Sequence, residues 1–148
     1  GGIVKSTVAF THLLKEGIGS TIRVSLSSDV ENEVIAAREI LAACGLYTGG
    51  VKIVSCPRCG RNGFYGHGFV KRWQNKLLSM NKNITVAVMG CVVNGPGEGK
   101  HADIGITGAG NSVLIFKKGK VVRTLQNDDL NILSKNADIA FSEEIKSL

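Results

Sequence analysis

Aromatic residues are scarce in this chain, prolines are nearly absent and no long apolar run occurs. Aromatics make up 5% of the 148 residues. Proteins that hold single-stranded nucleic acid stack bases on aromatic side chains along a basic groove. No aromatic-rich basic stripe is present, so nucleic acid is not the expected partner. No apolar run approaches the roughly 20 residues that cross a bilayer as a helix, so no membrane partner is expected. No charged stretch followed by an apolar one opens the chain, so a secretory signal is not expected either. What is present is a 43% hydrophobic composition, enough for a folded core. A net charge of +6 favours anionic partners: phosphorylated metabolites, nucleic acid or an acidic electron carrier.

Hydrophobic periodicity divides the chain into alternating elements. Residues 3–15 read as a helix stopped by Gly17 and Gly19, and residues 21–26 as a buried strand. Ser28 and Glu31 have capping-box spacing. Val30, Val34, Ala37, Leu41 and Cys44 then form an apolar helical face, closed by Gly45. Further strands are expected at 51–54, 84–89 and 104–107, with a helix marked by Phe69, Val70, Trp73, Leu77 and Met80 between the first two. Residues 60–68 read as an irregular glycine-rich loop. Residues 113–116 and 121–125 bracket Lys118-Gly119 as a hairpin. Residues 128–147 read as helical, with a break near Asn136. A seam is expected at 45–50, and the segment before it cannot close a core alone.

There are four cysteines. With no export signal visible, thiolates in a reducing compartment are expected rather than disulfides. Cys56 and Cys59 form a C-x-x-C stiffened by Pro57. Cys91 stands, like that pair, where a predicted strand runs out into a loop. Three soft sulfurs suit an iron–sulfur cluster or zinc. Cys44 continues the apolar face of its helix and reads as a core residue. The loop after Cys91, V-V-N-G-P-G-E-G, has glycines that permit positive φ and a proline that sets the bend. Such a loop can return Glu98 to a metal. An oxygen ligand is more easily displaced than a thiolate, which would leave one iron open to a substrate oxygen. On the residues alone, three readings stand: an iron–sulfur site, a zinc site completed by His67 or His101, and unliganded thiols with Glu98 a solvated carboxylate.

The strings S-C-P-R-C-G-R at 55–61 and G-C-V-V-N-G-P-G-E at 90–98 resemble the two cluster motifs of the 4-hydroxy-3-methylbut-2-enyl diphosphate synthase family, of the methylerythritol phosphate route to isoprenoids. I-G-S-T-I-R-V-S-L at 18–26 is similar to the last strand of that family's barrel domain. The G-G-I-V-K-S start is similar to another barrel segment. The resemblance implies an oxidoreductase with a [4Fe–4S] cluster on Cys56, Cys59, Cys91 and Glu98, the carboxylate stepping aside during catalysis. It implies a substrate, 2-C-methyl-D-erythritol 2,4-cyclodiphosphate, reduced by two electrons from flavodoxin or ferredoxin.

In fold, the resemblance implies an α/β (α+β) architecture. Residues 1–47 would be the last βα part of a TIM barrel. Residues 48–148 would form a sulfite/nitrite reductase-like cluster domain with a mixed, roughly five-stranded sheet and flanking helices. The family's phosphate-binding groups map onto Arg23 and Ser25, which share one side of a strand, and more weakly onto Lys5 and Ser6. Asn94 maps to a position beside the cluster. A homodimer and a cytoplasmic location, or a plastid-type organelle in a eukaryote, are also implied. Most of the family's barrel has no counterpart here, so the fragment is expected to bind the cluster and turn over little alone. The rivals are a zinc-stabilised basic module that binds nucleic acid and a passive electron-transfer domain.

Overall fold

Two stretches of sequence fold around separate apolar clusters, Gly1–Gly49 and Gly50–Leu148. The computed structural model describes all residues except Arg58, Cys59, Arg61, Asn62 and Val93, and the side chains of Asn94 and Glu98. The first unit holds helices α1 (Gly2–Lys15) and α2 (Val30–Ala43). Both end in the same device. Gly17 and Gly45, at φ 71° and 73°, let the chain reverse. The next residue, Ile18 or Leu46, returns its N–H to a carbonyl of the last turn, on Leu13 or Leu41.

The expected strand at 21–26 does not form. A strand needs a neighbour for its backbone groups, and no second extended segment within Gly1–Gly49 supplies one. The alternation survives without the sheet: Val24 is buried and Ile22 and Leu26 are half-buried, while Thr21, Arg23 and Ser25 are exposed. Leu26 N–H donates to Glu33 Oε1 at 2.8 Å, a side-chain substitute for a ladder bond. The capping box is also absent. Asp29 occupies the N-cap, and Ser28 Oγ instead accepts from Asn32 Nδ2. The apolar face of α2 is rotated from the expected one. Ala36 and Ile40 are buried with Ala37 and Cys44 beside them, whereas Val30 and Val34 are exposed. The side that α1 and the 21–26 segment cover decides this, through Phe10, Leu14 and Leu26.

The second unit is a mixed five-stranded sheet in the order β1-β2-β3-β4-β5. Its strands are β1 (Val51–Ser55), β2 (Ile84–Val88), β3 (Ile104–Ala109), β4 (Ser112–Lys117) and β5 (Lys120–Gln126). The first three run parallel and the last two antiparallel. Helix α3 (Gly66–Leu78) joins β1 to β2, and α5 (Leu130–Lys146) closes the chain. A short helix α4 (Asn94–Glu98) and a 3₁₀ turn (Gly99–His101) make the crossover from β2 to β3. The expected α/β class and mixed sheet are therefore present.

One face of the sheet carries the main core. Val86, Val88, Ile104, Ile106, Val113 and Ile115 meet Phe69, Trp73 and Leu77 of α3 and Leu133, Ala137, Phe141 and Ile145 of α5. Phe141 stands edge-on to both Phe69 and Trp73, with ring centroids 5.1 Å apart in each pair. Such edge-to-face pairs add about 0.5–1.5 kcal/mol each beyond area burial. The other face holds a smaller cluster of Ala87, Met89, Ala102 and Phe116.

Three local expectations are corrected. Helix α3 starts at Gly66 rather than after the glycine-rich stretch. Gly68 is there for space, since a Cβ would collide with the Tyr65 ring. Helix α5 runs through Asn136 without a break, because its buried stripe of Leu133, Ala137, Ala140, Phe141 and Ile145 continues past it. Gly95 and Gly97 lie in a short helix and are not among the positive-φ glycines. Pro96 sits in the first turn of α4, where a missing N–H costs nothing.

Candidate metal centre

The parallel strands β1 and β2 are in register, with Ser55 opposite Val88. Cys56 extends the ladder by one residue, its N–H donating to the Val88 carbonyl at 3.0 Å. Cys91 follows shortly after the end of β2 and is buried. The two thiols therefore leave from the carboxyl ends of neighbouring parallel strands, the end at which open α/β sheets bind ligands. Cys56 is half-buried against the cluster of Ala87, Met89, Ala102 and Phe116. Its thiol donates to the Pro57 carbonyl at 3.3 Å.

A single carbonyl ties the two cysteine-bearing loops together. Gly90 O accepts the N–H groups of Gly63, at 2.8 Å, and Phe64, at 3.1 Å. Gly63 lies so close to the end of β3 that a Cβ would stand 2.8 Å from Ala109 Cα. Helix α4 begins at Asn94, and its Gly95 N–H donates to the Cys91 carbonyl at 2.9 Å. Gly95 in turn rests on β3, where a Cβ would come within 2.5 Å of Thr107 Cγ2. Glycine is needed here for close approach.

Of the expected metal ligands, Cys56 and Cys91 are brought to one end of the sheet. Cys59 lies outside the described residues. The backbones of Asn94 and Glu98 belong to α4, and their side chains lie outside the description. Among the described residues, no three His, Cys, Asp or Glu side chains converge as a metal site. His67 and His101, the expected zinc partners, are both exposed. Cys44 is half-buried in the first unit, against Val24, Ala36 and Ile40, and its thiol donates to Thr11 Oγ1 at 3.7 Å. In that unit Arg23 and Ser25 share the exposed side of their segment, Lys5 is exposed and Ser6 is half-buried.

Sequence reasoning missed Thr107. It is buried with 0% exposure, and its hydroxyl has no hydrogen-bond partner among the described residues. The available signal was one hydroxyl residue inside the otherwise apolar string I-G-I-T-G-A.

Fold and site together define a mixed α/β module with a thiol pair at the carboxyl ends of adjacent parallel strands. Residues 52–140 match the family described as GcpE protein C-terminal domain, and residues 1–38 match the GcpE TIM-barrel domain. The chain belongs to the GcpE family. It is 63% identical to 4-hydroxy-3-methylbut-2-en-1-yl diphosphate synthase (flavodoxin) of Treponema pallidum, over 99% of this chain and 37% of the relative. The proteins of the same name from Treponema denticola and Clostridium tetani are 62% and 53% identical, over 99% and 87% of this chain. They are covered over 38% and 37% of their own lengths, so the chain spans a little over a third of the relatives it matches.

Proposed function

We propose that this chain is the cluster-bearing part of a reductase in isoprenoid biosynthesis, with Cys56, Cys59, Cys91 and Glu98 holding a [4Fe–4S] cluster. The observation that carries this reading is the delivery of Cys56 and Cys91 to adjacent parallel strand ends, held by shared bonds to the Val88 and Gly90 carbonyls. The residues present fit such a group. Two soft donors sit at one sheet end, and Thr107 keeps an unpaired buried hydroxyl under the loop beyond Cys91.

The reaction proposed is the reductive opening of 2-C-methyl-D-erythritol 2,4-cyclodiphosphate to 4-hydroxy-3-methylbut-2-enyl diphosphate. Two electrons and two protons enter, one C–O bond to phosphate and one C–OH bond break, and one water leaves. The cluster would supply electrons singly, together with an iron whose oxygen ligand is exchangeable. The chain's own residues bring Cys56 and Cys91 to neighbouring strand ends in register, and the Ala87–Met89–Ala102–Phe116 cluster packs against Cys56 as an apolar floor. Arg23 and Ser25 offer a cation and a hydroxyl on one exposed side, suited to a diphosphate. Flavodoxin or ferredoxin as donor, a homodimer, a barrel origin for residues 1–47 and a reducing cytoplasmic setting complete the proposal.

The test is anaerobic reconstitution with iron and sulfide. The expected product is brown and carries about four irons per chain, as the cluster's stoichiometry requires. Cys91→Ser loses the colour and Cys44→Ser keeps it. Stoichiometric zinc uptake with no iron uptake would overturn the proposal.

A further inference from the structure

We propose that Thr107 is a positioning residue that donates its hydroxyl hydrogen to a sulfur of the cluster, either a bridging sulfide or the Cys91 thiolate. The inference rests on the cluster reading above and deepens it.

Thr107 is the one buried polar side chain among the described residues. A buried hydroxyl left without a partner costs about 1–3 kcal/mol, so such groups are rare and ask for an occupant. Its direction follows from the strand. Ile104 and Ile106 point into the core beneath α3 and α5, so Thr107, one residue on, points to the opposite face. That face carries Ala87 and Met89, against which Cys56 packs. Gly95 lies over the Thr107 side chain, where a Cβ would stand 2.5 Å from the methyl carbon Cγ2 and 3.2 Å from the hydroxyl Oγ1. The Gly95 N–H is held by the Cys91 carbonyl. The unpaired hydroxyl thus lies under the turn that begins at a proposed thiolate.

A hydroxyl can both donate and accept, and sulfur offers it only an acceptor, so Thr107 would be the donor. A hydrogen bond to a cluster sulfur stabilises the more negative, reduced state and raises the reduction potential. The side chain would act through the cluster and make no contact with substrate.

The experiment uses the iron-loaded 148-residue chain with Thr107→Val and Thr107→Ser. Valine keeps the shape and removes the donor, while serine keeps the donor. Iron content is measured first. If the unaltered chain takes up no iron, the cluster reading has failed. With loading established, the midpoint potential of Thr107→Val is expected to fall and that of Thr107→Ser to stay with the parent. The deuteron coupling that appears in the reduced cluster's magnetic resonance spectrum after exchange into D₂O is expected to lose one component in the valine variant only. An unchanged potential in a fully loaded Thr107→Val overturns the inference, because the hydroxyl then makes no bond to the cluster. Equal shifts in both variants overturn it as well, since packing rather than the hydroxyl would be responsible. If the valine variant does not load, the deuteron component in Thr107→Ser decides: its absence overturns the inference.

Discussion

The two units bury apolar surface in different ways. Gly50–Leu148 closes a core of strands and two helices around three interlocked aromatic rings. Gly1–Gly49 buries only Val24, Ala36 and Ile40, and α1 has no buried residue at all. Ile3, Val4, Val8, Leu13 and Ile18 are exposed instead. Periodic apolar sequence is enough to make a helix, but a core also needs a second layer to receive it.

The largest effect that would sharpen this contrast lies in the aromatic trio. Phe141→Ala should cost about 3–5 kcal/mol of unfolding free energy by denaturant titration, because the cavity opens between Phe69 and Trp73. Ile40→Ala in the first unit should leave that same transition in place. A shift of equal size would show that the two cores are one.

Next come the glycines of the second unit. Gly105 lies against the Phe116 ring so closely that a Cβ would collide with it, whereas Gly97 faces open space. Gly105→Ala should therefore lose about 1–3 kcal/mol or more through overpacking. Gly97→Ala should gain a few tenths to about 1 kcal/mol through helix propensity. Melting curves that moved alike would refute the distinction.

The smallest effect concerns how α5 is fastened to the hairpin. Glu144 accepts from Lys117 Nζ and Arg123 Nε, each at 2.7 Å, and the Lys117 and Arg123 bonds hold its carboxyl below the ordinary value of 4.5. A group with a depressed folded pKa contributes its full stability above the unfolded value. That contribution is lost as pH falls through the folded value. Unfolding followed from pH 7 downward should show the parent's advantage over Glu144→Gln shrinking below pH 4.5. A constant gap down to the acid limit would mean that the carboxylate contributes nothing through its charge.

Much of the second unit was legible in the sequence, since its five strands and two long helices follow from alternation and helical spacing. The hairpin was legible too, because Lys118-Gly119 adopts φ 48° and 79°, the left-handed pair that such a turn requires. The first unit was less so. Residues 21–26 carry a strand's alternation, but a sheet is a property of neighbours, and Glu33 satisfies Leu26 instead. Glycine was the other source of error. A missing side chain reads the same whether it permits a positive φ, as at Gly45, or a close approach, as at Gly95. In the candidate site, Cys56 and Cys91 were legible as strand ends. Thr107 was not, because an orphaned hydroxyl is defined by what surrounds it in space.

The Gly90 carbonyl, shared by Gly63 and Phe64, has a consequence for durability. Small metal domains that lack a core collapse when stripped. Here Cys56 N–H donates to the Val88 carbonyl and the Gly63 and Phe64 N–H groups to the Gly90 carbonyl, all within the main chain of a unit that has its own apolar core. On the proposed cluster reading, losing the cluster would leave Cys56 and Cys91 at strand ends paired by main-chain bonds, so reloading would call for iron and sulfide rather than for refolding of the sheet.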